Sequence, residues 1–490
     1  MVLSKRNFLK GFGSCALLGA GGCIATGGWG KKVRLAVVGI WGKGYEDWKW
    51  FLKHGRVDTV ALCDCDRNML PLAQAQLKKD GFGIDISKIP FYTDYRRMLD
   101  DSEKLGIQAM QISTPDHMHA AIAVNAMKKG IHVYVQKPLV RTLWELGRFK
   151  KTALECGTVT QMGNQGSSGS TFRRGVEILQ SGALGDVSEV HVWTNRPVWP
   201  QGDWAKSLLS RPDDPVPSGL DWDSWIGTAA MRPYKGERGV DPRDYPWCVK
   251  VGNTKVYHQF NWRGFADFGA GALGDMASHL MNLPYRGLRL GAMAWANCRF
   301  ATETNPGIYP ATSIVDIGFA GRPGLKFTWY EGGVKPDPDL TAPILQVEKG
   351  IPVGGCVIVG SKGTLYSTDN YGQTSYVMMA GDRKPVSIME QEACKAVAQT
   401  LPRRREERTT GNYGEFIDAI LGETPFIEET HSRCYGDIEH SVPLMEGMLA
   451  ACAAQCVPGT RLNWDTSAQR FDNGEANAMI RPHIRSGWEF

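Results

Sequence analysis

Three short stretches place proton-handling and charge-stabilising side chains where they could act on a hydroxyl group. Gln136-Lys137-Pro138 closes the apolar run His132 to Val135. A lysine at such a strand end carries a fixed positive charge able to stabilise alkoxide character on an oxygen whose carbon loses hydride. In the block Gly271 to His279, Asp275 and His279 stand four residues apart. On a helix they share one face, so the carboxylate can orient the imidazole while it takes a hydroxyl proton. The plain alternative is an aspartate capping a helix and a histidine packed within it. Ser113-Thr114-Pro115-Asp116-His117-Met118-His119 follows another apolar strand, at the edge where ligands of doubly wound sheets bind. His117 and His119 lack a suitably spaced third ligand, so no metal site is expected and helix capping is the role anticipated for them.

These groups need an element to face, and the stretch from Lys31 to Trp48 supplies it. An apolar β-branched run leads into Gly39, Gly42 and Gly44, a GxxGxG turn around Trp41, and then a helix opening. Absent side chains let such a turn approach a pyrophosphate held at the helix N-terminus. Val57 to Cys63 reads as a second buried strand ending in Asp64, where a ribose-binding acid belongs, about 20 residues beyond the glycines. A carboxylate there favours NAD over NADP. Asp66 is the rival for the ribose, its plain role being the cap of a helix beginning near Asn68.

The 490 residues exceed one ordinary core, so two domains with insertions are expected. The net charge of +5 includes Lys5, Arg6 and Lys10, so the body is near neutral and no nucleic-acid partner is implied. The mixed run Arg403 to Arg408 reads as a solvated segment. Residues 1–30 read as an export signal, and Ser4 to Lys10 resembles a twin-arginine motif with Lys5 in the first arginine's place. A periplasmic or secreted location follows, with Cys23 a poor lipidation site. No later segment has the ~20 apolar residues of a membrane span. Ten cysteines beyond the signal show no repeated CxxC and are expected mostly as buried thiols.

Alternating strands and helices, with a capping box at Thr142 and Glu145, continue to a last strand at Val159 to Gln161. The fold class is therefore α/β: an N-terminal Rossmann-type doubly wound parallel sheet over 31–160, then an α+β domain over 161–490 with an open, mainly antiparallel sheet. Candidate strands of that sheet are Val187 to Thr194, Met293 to Phe300, Ser313 to Phe319, Lys326 to Tyr330 and Val357 to Gly360. A Trp- and Pro-rich insertion spans 196–257, and most of its tryptophans are expected to anchor loops.

Taken together, the glycine turn, STPDHMH, the Lys-Pro turn, Gly271 to His279 and Gly360-Ser361-Lys362-Gly363-Thr364-Leu365 resemble the Gfo/Idh/MocA family. The resemblance implies catalytic roles for Lys137, Asp275 and His279. The cofactor, NAD in preference to NADP, is then expected on Gly39, Trp41, Gly42, Gly44, Asp64, Ser113, Thr114, Pro115, His119, Gln136 and Lys137. Gln136 departs from the family's usual glutamate, which removes an anion beside the lysine. Gln161 to Gly166 and Tyr257 to Gly264 resemble an exported subgroup and offer Asn164, Gln165, Tyr257, His258, Asn261 and Arg263 for a sugar. The expected activity is hydride transfer from a ring hydroxyl of a sugar or glycoside, in a homo-oligomer. The alternatives are a family 109-like glycosidase using Tyr257 or Tyr234 as base, and a non-catalytic sugar-binding protein.

Overall fold

The computed structural model describes residues 32–237, 255–303, 305–403, 410–423, 427 and 432–490. The anticipated signal, Trp247 and Arg404 to Arg408 lie outside them.

β1 (Val33–Val38), β2 (Val57–Cys63), β3 (Phe91–Tyr92), β4 (Ala109–Ile112), β5 (His132–Gln136) and β6 (Thr160–Gly163) form a parallel sheet in the order β3-β2-β1-β4-β5-β6. Their near-continuous apolar runs suit a sheet covered on both faces. β1 lies between β2 and β4, with Val33 opposite Val57 and Leu35 opposite Ala109, so both crossovers reverse beside the glycine turn. The turn needs its glycines. Gly39 has φ +81°, and a Cβ there would meet Ser113 O at 2.6 Å. A Cβ on Gly44 would collide with Gly39 O. The capping box forms at Thr142 and Glu145 and starts the helix Leu143–Cys156.

The second sheet comprises β7 (Val187–Thr194), β8 (Met293–Ala301), β9 (Ser313–Phe319), β10 (Arg322–Tyr330), β11 (Gly354–Gly360), β12 (Gly363–Ser367), β13 (Ser375–Met379), β14 (Val386–Ser387), β15 (Arg461–Asp465) and β16 (Arg470–Phe471). Their order is β14-β13-β12-β11-β7-β10-β9-β8-β15-β16. All neighbours are antiparallel except β7 and β10. The helix Ile438–Gln455 packs on β8 and β9 and against the helix Gly271–Leu280, which places Asp275 and His279 at the junction with the first sheet.

The helix Thr410–Ile420 packs away from the second sheet. Tyr413 and Phe416 close on Phe51 and Tyr134 of the first domain at 5.1–6.1 Å between rings. In the insertion, Trp222 and Trp225 stack at 4.7 Å and join Tyr257 and Phe268 in a separate apolar cluster. Arg403 pairs with the buried Glu177 at 2.7 Å and is not a solvated charge. Among the described residues no helix is long and apolar enough to cross a membrane.

Candidate active site

A cavity of about 830 Å³ runs from the glycine turn to the helix Gly271–Leu280. Of the anticipated residues it is lined by Gly39, Trp41, Gly42, Asp64, Ser113, Thr114, Pro115, Gln136, Lys137, Gln165, His258, Arg263, Asp275 and His279.

At one end the geometry suits a dinucleotide. Gly42 precedes the helix Lys43–His54 with φ +60°, and a Cβ there would meet nothing within 4 Å, so it would project into open space at the helix N-terminus. Asp64, at the end of β2, accepts from Ile40 N and from Asp66 N, both at 3.0 Å. Its carboxyl is pushed up by burial. Asp66 accepts from Asn68 N and faces His258 Nε2 at 3.3 Å, so it serves the turn while Asp64 lines the cavity.

Below the turn lies a network that sequence reasoning missed. The buried Asp47 accepts from Lys43 Nζ (2.5 Å), Tyr413 OH (2.6 Å), Ser113 Oγ (2.7 Å) and Gln136 Nε2 (3.0 Å). This explains glutamine at 136: an amide donates to Asp47 where a carboxylate would repel it. In sequence, Lys43 and Asp47 look like an ordinary solvent-facing pair.

At the other end Lys137 Nζ donates to Asp275 Oδ1 and to Asp275 O, each at 2.9 Å. The anion missing at position 136 is thus supplied by Asp275. Arg263 Nε donates to the same Oδ1 at 3.3 Å. Although burial opposes ionisation, Lys137 and then Arg263 hold the Asp275 carboxyl down at about 2, with a smaller contribution from His279. Asp116, also on the cavity wall, goes the other way: burial pushes it up to about 8 despite Arg263 and Lys137. Tyr371, not anticipated, lines the cavity with its ring 4.8 Å from that of His279.

Five anticipated contacts, Gly44, His119, Asn164, Tyr257 and Asn261, fall elsewhere. Gly44 packs under Gly39 within the turn. His119 stands between Pro138 O (2.7 Å) and Thr114 O (2.9 Å), and burial lowers it to about 4, so the ring is neutral and its single N–H donates to one of these carbonyls inside the protein. His117 faces Trp225 O and packs on Phe268. Neither histidine caps a helix, since both lie inside Asp116–Lys128. Asn164 is fully buried beside Gly436, and Asn261 donates to Lys255 O. Tyr257 is sealed in the insertion's aromatic cluster, as is Tyr234; the apolar area gained there outweighs exposure to a cavity. Among the described residues no group of three metal-ligating side chains forms.

Residues 33–164 match the oxidoreductase family described as having an NAD-binding Rossmann fold. A glycosyl hydrolase family 109 protein of Stenotrophomonas maltophilia is 30% identical over 165 residues, 32% of this chain and 34% of that one. A 1-carboxy-3-chloro-3,4-dihydroxycyclohexa-1,5-diene dehydrogenase of Comamonas testosteroni is 29% identical over 160 residues, 32% and 37% of the two chains. The chain thus spans about a third of the length of these curated relatives. Among solved structures, an inositol dehydrogenase homolog from Azotobacter vinelandii, complexed with NADH and myo-inositol, superposes with a TM-score of 0.57 at 17% identity, covering 89% of this chain and 98% of that one. An aldose-aldose oxidoreductase from Caulobacter crescentus gives 0.54 at 13% identity over 88% and 100%. These two likenesses establish the fold.

Proposed function

Because residues 33–164 match the Gfo/Idh/MocA oxidoreductase family, we propose that the chain is an exported enzyme passing hydride from a ring hydroxyl of a sugar or glycoside to a retained NAD. The observation that carries the reading is the junction of Lys137, Arg263 and Asp275 next to His279, on the wall of a cavity whose other end is the glycine turn. The open face of Gly42, the helix N-terminus behind it and Asp64 fit a dinucleotide's diphosphate and ribose. NAD, when bound there, supplies a hydride acceptor.

The chain's own residues handle the proton and the charge. His279 takes the hydroxyl proton. Lys137 holds a positive charge where the substrate oxygen gains negative charge, and its position is fixed in advance by two bonds to Asp275. Asp275 stays ionised through the neutral range, so that anchor does not titrate during turnover. Trp199, Trp225 and Trp262 give the cavity apolar walls that limit water. The Ser4 to Lys10 motif supports export, and carriage in the folded state supports a cofactor bound before departure.

Purified protein incubated with a panel of sugars and glycosides should change nicotinamide absorbance, and His279→Ala should not. No redox change with any sugar, with the variant indistinguishable from wild type, contradicts the reading.

A second reading is favoured by Tyr371. Redox-assisted glycoside hydrolysis needs a base for a carbon-bound proton next to a transient ketone, and Tyr371 stands beside His279 where Tyr257 and Tyr234 do not. The family 109 name of one relative supports it. Release of aglycone from a nitrophenyl glycoside without added cofactor, with solvent deuterium entering at C2, separates it from a dehydrogenase.

A further inference from the structure

The sugar end of the cavity carries more positive than negative charge. Lys137 and Arg263 meet there, and Arg196, three residues before the Trp199 ring that lies 5.8 Å from the Arg263 guanidinium, lines the same cavity, against the carboxyl groups of Asp116 and Asp275. Asp275 is already shared by Lys137 and Arg263. Asp116 accepts a bond from Ala270 N at 3.2 Å and is 4% exposed, and burial keeps its proton on at neutral pH. The nicotinamide ring of oxidised NAD, when held beside Lys137, would add a further positive charge at this end, its diphosphate lying at the glycine turn. Aromatic walls make this costly, because charge excess in a low-dielectric cavity is poorly solvated unless an opposite charge accompanies it.

The three cations are not equivalent. Arg263 is committed: Nε serves Asp275, Nη1 donates to Phe260 O at 3.0 Å, and the guanidinium lies 4.4 and 4.3 Å from the Phe260 and Trp262 ring centroids. Lys137 is held by Asp275. Arg196 follows β7, is half-buried, and donates from Nη1 to the neutral Asn195 Oδ1 at 2.6 Å. Among the described residues no carboxylate pairs with it. A guanidinium matches a carboxylate through two parallel N–H bonds.

We propose that the sugar taken by this site carries a carboxylate, as a uronic acid or its glycoside does, and that Arg196 receives that carboxylate. The inference rests on the oxidoreductase reading above for the identity of the cavity.

The test titrates NAD-loaded protein with methyl glucuronoside and methyl glucoside. Tryptophan fluorescence reads binding through Trp199 and Trp225 on the cavity wall, and nicotinamide absorbance reads turnover. The uronoside should bind about 10- to 100-fold more tightly, the scale of a charge-assisted bidentate pair. Arg196→Gln should bring its affinity down to that of the glucoside, and Arg196→Lys should restore part of the difference. Equal affinities in wild type, or a preference that survives Arg196→Gln, overturn the proposal. If the uronoside binds through Arg196 and neither sugar alters nicotinamide absorbance, the inference stands and the oxidoreductase reading fails. If the glucoside is oxidised while the uronoside neither binds nor reacts, the reading stands and the inference fails.

Discussion

Replacing Gly42 with alanine separates the dinucleotide cradle from the mere conformational need for glycine, because Gly55 at the other end of the same helix serves as its control. Both have positive φ, +60° and +79°, and neither has an atom within 4 Å of an added Cβ. Gly55→Ala should cost roughly 1–2 kcal/mol for a left-handed residue. Gly42→Ala, with ψ −121° as well, should cost about 1–3 kcal/mol. Stability therefore distinguishes them weakly. Only the Gly42 methyl would stand in the cavity, at the helix N-terminus, where on the proposed placement it would displace a phosphate oxygen from backbone N–H groups. Loss of one charge-assisted bond is worth roughly 1.5–3 kcal/mol, or about 10- to 150-fold in affinity. Calorimetric titration of stripped protein with NAD should show that loss in Gly42→Ala and wild-type affinity in Gly55→Ala. Equal NAD affinity in the two variants would refute the placement of the diphosphate at this turn.

Lys137→Met should lower kcat by about 10²- to 10³-fold with little change in KM, as expected for a charge that acts on the transition state, and Lys137→Arg should recover part of it in steady-state assays. Asp275→Asn should cost about 2 kcal/mol at pH 7, since the folded carboxyl sits at about 2 against its ordinary 3.8. That stability is present above pH ~4 and fades as pH falls toward 2, so urea melts of wild type and variant should converge in acid. Asp116 behaves oppositely. Its folded carboxyl keeps its proton up to about pH 8 while the unfolded one loses it near 3.8, so its contribution to stability falls between those values as pH rises. Asp116→Asn should accordingly gain stability over wild type at pH 8 and lose that advantage at pH 4, read by thermal melts.

Local pattern made much of this architecture legible. The glycine turn, Asp64 at the end of β2, the Thr142–Glu145 box and β7 at Val187–Thr194 are all encoded within short windows. The placement of Lys137 beside Asp275 was legible only indirectly, through a strand end and a helical spacing, because 138 residues separate the two. Asp47 was hidden for the same reason: its partners Ser113, Gln136 and Tyr413 come from three distant segments. Tyr257 shows the opposite failure. An aromatic residue in a loop rich in polar side chains looks available, but only the packed structure reveals that its ring faces Trp222, Phe265 and Phe268. Tyr371, Arg196 and Asp116 reach the cavity from separate elements, with no spacing in the sequence to join them.

The central claim is hydride transfer at the junction of Lys137, Asp275 and His279. Its most direct measurement follows a sugar deuterated at its ring carbons through one turnover with NAD-loaded protein, with mass spectrometry of the released nicotinamide dinucleotide. The account predicts deuterium on the nicotinamide ring with wild type and none with His279→Ala; a nicotinamide that stays unlabelled across sugars the protein binds would contradict it.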